Sequence, residues 1–157
     1  MDTEARGVVA GLTVTHTRGD LYRAALEATG FGVRHNIETM LGAGAEITRI
    51  LAVGGGAQGS LWPQIVSDIT GRDQVIPTQT IGASLGASLG AAFLAAQAIG
   101  EAAIDDWNPP RVTCRPDPQH AATYDELYRL YRQLYSETAD VVHALSRMQH
   151  RAGTVGS

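Results

Sequence analysis

Three short apolar runs along the chain have the length and composition of β-strands. Residues 7–15 (GVVAGLTVT), 47–53 (ITRILAV) and 74–78 (QVIPT) are rich in β-branched or aliphatic residues and lie between glycine or polar turn residues. Such runs between turn signals are typical of strands. We therefore expect three strands, the second of which ends directly before three consecutive glycines.

Longer stretches between and after these runs have apolar residues at helical spacing. The first begins near Asp20, which is expected to be its N-cap, and ends before Gly42 and Gly44, while Gly30 and Gly32 in its middle permit close packing. The order of strands and helices predicts an α/β protein in which helices cover a sheet. The other helices are predicted at residues 61–70, 82–99 and about 121–149, with an irregular loop at 102–118.

Composition and charge limit the classes of function. The chain has 157 residues, of which 44% are hydrophobic and 18% are charged, as expected for one globular domain. The net charge is -4 and no cluster of Lys or Arg stands out, so we expect no nucleic-acid partner. Cys114 is the single cysteine, and the N-terminus lacks the features of a signal peptide; together they favour a cytoplasmic protein.

Residues 81–99 (IGASLGASLGAAFLAAQAI) carry no charge and contain glycines four residues apart, which raises the alternative of a membrane span. The stretch consists mostly of Gly, Ala and Ser and lacks the Leu, Ile and Val density of a span. A buried helix outside a membrane is the better interpretation. In that interpretation Gly82, Gly86 and Gly90 form one smooth face for packing.

The glycines at 54–56 lie where a predicted strand passes into a predicted helix, within AVGGGAQGSLWPQIVSDITG at 52–71. Such a turn exposes unpaired N–H groups and the positive end of the helix dipole, an arrangement that suits phosphates and nucleotides. The pattern is neither a P-loop nor the dinucleotide fingerprint, because it lacks Gly-Lys-Ser/Thr and the acidic residue about 20 positions on. From the glycines alone, a tight packing turn is an equal alternative.

The longer context of the turn is more specific. GGGAQGSLWPQIVSDITG closely resembles the adenosine motif of the FGGY family of carbohydrate kinases, with Trp62, Gln64, Asp68 and Gly71 in matching places. The resemblance extends over about residues 6–140 and is nearest to xylulose- and ribulose-kinase-like members. It includes the segments RGVVAGLTVTHTRGDLYRAALEATGFGVRHNIE, IGASLGASLGAAFLAA, WNP and YDELYRLYRQLY.

This resemblance implies a fold and an activity. Such kinases have two actin-like, ribonuclease H-like domains, each with a mixed sheet flanked by helices, and transfer the γ-phosphate of ATP to a sugar hydroxyl with Mg²⁺. Residues 1–150 are similar to the C-terminal nucleotide-binding lobe alone, and residues 151–157 are expected to be a disordered tail. The N-terminal lobe, which carries the catalytic aspartate and most sugar contacts, has no counterpart in this chain.

Several functional expectations follow from the resemblance. The intact kinase would act on a pentulose such as xylulose or ribulose, and this chain would be inactive by itself, with Mg²⁺ held mainly by the phosphates and the missing lobe. We name no catalytic residue and no metal ligand in the chain. A homodimer is possible. The alternative is a non-catalytic pseudo-kinase lobe, or a partner that completes a separate chain.

Five residues are predicted to contact ATP or ADP. Gly55, Gly56 and Ala57 are expected to line the adenine and ribose, because small residues allow the backbone to approach them. Ser60 and Gln64 are the side chains expected to hydrogen-bond adenosine. Their alternatives are an ordinary helix N-cap for Ser60 and an exposed helix position for Gln64.

Other candidate residues have a structural interpretation that outweighs the functional one. Trp62 is expected beneath its helix rather than stacked on adenine, and Asp68 is expected to be a solvated or capping carboxylate. His16 is expected to be a hydrogen-bonded turn residue rather than a cleft residue. Four tyrosines at helical spacing predict a core or interdomain face; they are Tyr124, Tyr128, Tyr131 and Tyr135.

Overall fold

The computed structural model describes residues 2–80 and 83–153. Helices dominate, and two strands form a small antiparallel sheet, so the predicted α/β class is confirmed. No helix within the described ranges is long and apolar enough to span a bilayer. The elements are α1 (Arg18–Gly42), α2 (Leu61–Thr70), β1 (Gln74–Pro77), α3 (Ala83–Ile99), α4 (Ile104–Trp107), β2 (Pro110–Cys114) and α5 (Ala121–Gly153).

Helix α1 begins three residues earlier than predicted, because its N-cap is Thr17 rather than Asp20. Thr17 accepts a hydrogen bond from the Asp20 N–H, and the Asp20 carboxylate accepts one from the Thr17 N–H, which makes a capping box. Asp20 therefore caps the helix from inside its first turn. His16 is a turn residue as expected, with its Nδ1 2.9 Å from the Thr13 N–H nitrogen.

The core lies where α1 and α5 meet α2. A Cβ atom on Gly30 would be 2.7 Å from Cδ1 of Ile69, so this glycine lets α1 approach α2 closely, as the sequence suggested. Phe31 packs against the rings of Tyr124 and Tyr128 at centroid distances of 6.1 and 6.0 Å. The tyrosine face of α5 is therefore core at these two positions, whereas Tyr135 is 53% exposed.

The predicted strand at 47–53 is reduced to one bridge, in which Leu51 pairs in parallel with Val75 of β1. Two backbone bonds make this bridge: Val75 N–H to Ile50 C=O and Ala52 N–H to Val75 C=O, each 2.9 Å. The next bond of a parallel ladder would come from the N–H of Pro77, and proline has none. The ladder therefore stops, although β1 itself forms nearly as predicted.

Two other sequence predictions are wrong. Residues 7–15 are not a strand, because nothing in the described chain pairs with them; Val9 and Leu12 are 64% and 56% exposed. The predicted loop at 102–118 contains α4 and β2, which pairs antiparallel with β1. Pro110 suggested a loop, but it is the first residue of β2, a position where a missing N–H is tolerated.

The remaining helices differ from expectation in their packing and ends. In α3, a Cβ atom on Gly90 would meet no atom of the described residues within 4 Å, so Gly90 does not pack closely against them, and Gly82 lies outside the described residues. Helix α5 continues to Gly153, so 151–153 of the predicted tail are helical, and 154–157 lie outside the described residues. Asp2 lies beside α5 and accepts hydrogen bonds from Tyr135 and His143.

Candidate functional site

The glycine turn begins at a residue that needs to be glycine. Gly54 has φ 89° and ψ -173°, a backbone conformation that other residues rarely adopt. Its N–H donates to the Thr80 C=O at 2.8 Å, which fixes the start of the turn beside the end of β1. Gly55–Gln58 then form one turn of 3₁₀-helix, closed by the bond from the Ala57 N–H to the Gly54 C=O.

The predicted site residues in this turn face two directions. Gly55, Gly56 and Ser60 are exposed at the mouth of α2. Ala57 is only 2% exposed, and it lines an apolar hollow of about 210 Å³ together with Val33 of α1. Because the Ala57 N–H is already used within the turn, the backbone groups left for a ligand are those of the exposed glycines.

Trp62 packs beneath the turn, as the structural interpretation expected. A Cβ atom on Gly56 would lie 2.0 Å from Cε3 of Trp62, so the indole fills the space below this glycine. The indole N–H donates to Oγ1 of Thr29 in α1 at 3.1 Å. Trp62 thus joins the turn to α1, and the small residue at position 56 is explained by packing as well as by any ligand.

Ser60 precedes α2 but does not cap it with its side chain. An N-cap hydroxyl usually accepts from the N–H of the second or third helical residue, and the third residue here is Pro63, which has no N–H. The N-cap alternative for this hydroxyl is therefore wrong. Within the described residues the Ser60 hydroxyl has no hydrogen-bond partner, and it remains available at the mouth of the helix.

Gln64, one helical turn further, is engaged within the protein. Its Nε2 donates to Oδ1 of Asp68 at 2.7 Å and to the C=O of Arg115 at 2.8 Å. Its Oε1 accepts from the thiol of Cys114 at 3.2 Å. Gln64 is half-buried, so the alternative of a plainly exposed helix residue is wrong. A contact with adenosine would require the exchange of at least one of these bonds.

The sequence suggested a solvated or capping carboxylate at Asp68; the structure shows a buried one, so the solvated alternative is wrong. Its side chain is 2% exposed. Besides Gln64, it accepts from the N–H of Asp117 at 2.8 Å, and its Oδ2 lies 2.9 Å from Nδ1 of His120. Sequence analysis did not identify Asp117 and His120 as partners of Asp68, because they are distant from it in the chain. The sequence held a signal only for the pair Gln64 and Asp68, whose i,i+4 spacing places them on one face of a helix.

The polar face of α2, the helix that follows the glycine turn, is thus hydrogen-bonded to the end of β2 and to the segment between β2 and α5. Ser67, which is fully buried, adds a bond from its hydroxyl to the Cys114 C=O at 3.1 Å. Within the described residues there is no group of three or more His, Cys, Asp or Glu side chains that could hold a metal ion. The turn offers a ligand N–H groups, one hydroxyl and the positive end of a helix.

Comparison with known proteins identifies the family. Residues 1–99 match the model of the C-terminal domain of the FGGY family of carbohydrate kinases. The chain is 31% identical to a ribulokinase of Halalkalibacterium halodurans, over 99% of this chain and 30% of that protein. It is 28% identical to a xylulose kinase of Staphylococcus epidermidis, over 87% of this chain and 28% of that protein.

Solved structures agree with the sequence matches. The crystal structure of a xylulose kinase from Rhodospirillum rubrum superposes with a TM-score of 0.79 at 33% identity, over 88% of this chain and 28% of that one. A Brucella ovis neighbour gives a TM-score of 0.77 at 30% identity. The predicted actin-like fold is confirmed by these neighbours, although the chain spans less than a third of their length. The chain belongs to the FGGY family of carbohydrate kinases and corresponds to its C-terminal domain.

Proposed function

We propose that this chain is the nucleotide-binding C-terminal lobe of an ATP-dependent carbohydrate kinase. The intact kinase would transfer the γ-phosphate of ATP to a hydroxyl of a pentulose such as xylulose or ribulose. The pentulose is suggested by relatives named ribulokinase and xylulose kinase. The chain would be inactive alone, because the catalytic aspartate and most of the sugar contacts would belong to the N-terminal lobe. We place the kinase in the cytoplasm, in keeping with Cys114, which forms no disulfide in this chain.

The glycine turn supports the nucleotide site. The N–H groups of Gly55 and Gly56 have no backbone partner within the described residues, and they lie just before the N-terminus of α2. A Cβ atom on Gly55 would meet nothing within 4 Å among the described residues, so the space above the turn is open there. Open space, free N–H groups and a positive helix end together suit a nucleotide. The proposal rests on one observation: the glycine turn is exposed, and it lies in a chain that matches the family's C-terminal domain.

The five predicted residues take different parts in this site. Gly55 and Gly56 would offer backbone contact to the adenine and ribose, with Ala57 supporting the turn from its buried side. The Ser60 hydroxyl is free to hydrogen-bond adenosine. Gln64 remains a proposed adenosine contact, and its present bonds also hold α2 in position.

The side chains present do not fit a complete Mg²⁺ site. Residues 54–60 (GGGAQGS) include no carboxylate, and no metal-binding cluster occurs in the part of the chain that the structure describes. When bound with ATP, Mg²⁺ neutralises charge on the phosphates during transfer. We propose that the phosphates and the N-terminal lobe hold it, while this lobe binds the adenosine end.

A thermal-shift titration with ADP and ATP, each with and without Mg²⁺, tests the proposal. Ligand at 100 times its Kd adds about 2.7 kcal/mol of stability, which gives a clear rise in Tm. We expect a saturable rise with either nucleotide and no sugar phosphorylation by the chain alone. The absence of a shift at millimolar nucleotide would contradict a site already formed in this lobe, and Mg²⁺-dependent turnover would contradict its inactivity.

A further inference from the structure

Asn108 lies between α4 and β2, and its side chain pairs with the backbone of one residue beyond the end of β1. Its Oδ1 accepts from the Gln79 N–H at 2.8 Å, and its Nδ2 donates to the Gln79 C=O at 3.1 Å. A backbone N–H can only donate and a C=O can only accept, so these partners fix the orientation of the amide. The side chain thereby extends the pairing of β1 with β2, which ends at Pro77 and Pro110.

The residue after Gln79 holds the start of the glycine turn, because the Thr80 C=O accepts from the Gly54 N–H at 2.8 Å. The Gln79 C=O and the Thr80 nitrogen belong to one planar peptide unit, so fixing the first fixes one side of Thr80. On the other side of Gln79, the N–H and the hydroxyl of Thr78 both donate to the Pro109 C=O, at 2.9 and 3.0 Å. The place of the Thr80 C=O therefore depends on how Gln79 is held.

Helix α4 determines where Asn108 lies. Asn108 is the C-cap of α4, and its N–H closes the last turn of the helix. Trp107 packs edge-to-face against an aromatic ring of α3, with the ring centroids 6.0 Å apart. Asp105 accepts from Nη1 of Arg49 with both carboxylate oxygens, at 2.9 and 3.0 Å. Because Arg49 begins the segment 49–54 that leads into the turn, α4 is linked to both ends of this segment.

We propose that Asn108 is a positioning residue of the proposed nucleotide site. It acts through the backbone of Gln79 and not on the ligand: it places the Thr80 C=O where the Gly54 N–H can reach it. A turn that is held in its binding conformation binds more tightly, because less order has to be imposed by the ligand. The effect on binding rests on the proposed function, whereas the hold on the turn does not.

Two variants and a matched control test this inference. Asn108→Ala removes both bonds to Gln79. Asn108→Asp has nearly the same shape and keeps an acceptor for the Gln79 N–H, but it turns a carboxylate oxygen toward the Gln79 C=O. The control is Asp106→Asn, which exchanges the same two groups in α4. The Asp106 side chain is exposed and has no hydrogen-bond partner among the residues that the structure describes.

Native-state hydrogen exchange gives the first measurement. We expect the Gly54 amide to exchange about tenfold faster in Asn108→Ala, and also faster in Asn108→Asp than in the control. The amides of Ala52 and Val75, which bond within the bridge to β1, should keep their rates. A general loss of stability would accelerate all of these amides, so the comparison isolates a local release. In the unmodified chain, the Gly54 and Gln79 amides should be protected within about threefold of each other, because they open together.

Calorimetric titration with ADP gives the second measurement. It is made well below the Tm of each variant, so that unfolding does not limit binding. We expect Asn108→Ala and Asn108→Asp to bind ADP about fivefold more weakly than the unmodified chain, and Asp106→Asn to bind it equally well. A role confined to folding would lower the Tm and leave this affinity unchanged.

Two results would overturn the inference: unchanged protection of the Gly54 amide in both Asn108 variants, or faster Gly54 exchange with unchanged ADP affinity. If neither variant folds, the unmodified chain decides, since Gly54 protection more than about tenfold above that of Gln79 would show that the turn is held without Asn108. If the unmodified chain binds no ADP, the proposed function is contradicted. Exchange at Gly54 still decides in that case whether Asn108 holds the turn.

Discussion

Gly56 lies directly over the indole of Trp62, so a Cβ atom at position 56 would be 2.0 Å from two carbons of that ring. Gly56→Ala is therefore expected to lower the free energy of unfolding by about 1–3 kcal/mol, because it overpacks the space between turn and helix. Gly56→Val would disturb the same packing, so it could not separate an effect on the proposed nucleotide site from an effect on stability. Urea unfolding measures the effect.

The matched control for this variant is Gly55→Ala, one residue earlier, where an added Cβ atom meets nothing within 4 Å. Its stability should change by less than about 0.5 kcal/mol. Equal losses at positions 55 and 56 would contradict the packing role assigned to Trp62.

Gly55→Val is the sharper test of the proposed nucleotide site. Position 55 is exposed and open, so the side chain occupies ligand space without entering the protein. We expect nucleotide affinity to fall at least tenfold, about 1.4 kcal/mol, with little change in the Tm of the free chain. Isothermal titration with ADP gives the affinity.

Gly100→Val is the comparison for Gly55→Val, since Gly100 also has open space around it and follows α3, away from the turn. It should bind ADP as the unmodified chain does. If Gly55→Val binds ADP equally well, the nucleotide does not lie over the turn.

Removal of the Asp68 carboxylate should destabilise the lobe. Asp68→Ala leaves the N–H of Asp117 and the amide of Gln64 without their buried acceptor, which costs roughly 2–4 kcal/mol. Asp68→Asn retains one acceptor oxygen for these donors and should cost less. Urea unfolding of the two variants checks the order, and a larger loss for Asn than for Ala would refute this account.

The aromatic core should be the least tolerant region. Phe31 is 6% exposed and contacts the rings of Tyr124, Tyr128 and Tyr131. Phe31→Ala is expected to cost about 3–5 kcal/mol. Calorimetric unfolding measures this loss of stability. The control Leu94→Ala, at a residue that is 66% exposed, should leave the free energy of unfolding nearly unchanged in the same experiment. Similar losses at both positions would disprove the location of the core.

Glu38 gives a prediction for acid stability. Burial raises its pKa, but hydrogen bonds from Arg34 and Tyr128 outweigh this and hold the pKa below the ordinary 4.5. The folded state therefore favours the carboxylate, and this stabilisation is present above pH 4.5 and is lost as the pH falls through the folded pKa. Glu38→Gln should be less stable than the unmodified chain near neutral pH, and the difference should shrink in acid.

Measurement of unfolding between about pH 7 and pH 3 checks this sign. Glu101→Gln is the control, because Glu101 is exposed and has no hydrogen-bond partner within the described residues. A stability difference for Glu38→Gln that stays constant or grows in acid would exclude the proposed role.

The sequence predicted elements whose signals are local. Helix α2 was predicted with its observed bounds, because Gly71, in the left-handed conformation, ends it. The glycine turn was also located correctly, because its signal in the sequence is local. The contacts of the site side chains were harder to predict. The partners of Gln64 and Asp68 are residues about 50 positions away, and no pattern in the sequence connects them.

Strands were the least predictable elements, because a strand needs a partner. Residues 7–15 have strand composition but remain unpaired in the described chain, and residues 47–53 keep only one bridge. Conversely, Pro109 and Pro110 concealed β2, since its pairing with β1 depends on a distant segment. Composition reports which residues suit a strand, whereas pairing decides which of them form one.

The missing N–H of Pro77 affects how the glycine turn is held. With no bond from Pro77 to Ala52, the segment leading into the turn is attached to its neighbour at Val75 and next at Thr80, through Gly54. These are two separate points of attachment and not a continuous ladder of backbone hydrogen bonds. Loss of the Gly54 bond would therefore detach the start of the turn from the residues after β1, while the bonds at Val75 would stay closed and Trp62 would still pack beneath Gly56. Because of one proline, the attachment of the turn's first residue to its neighbouring segment depends on a single backbone bond.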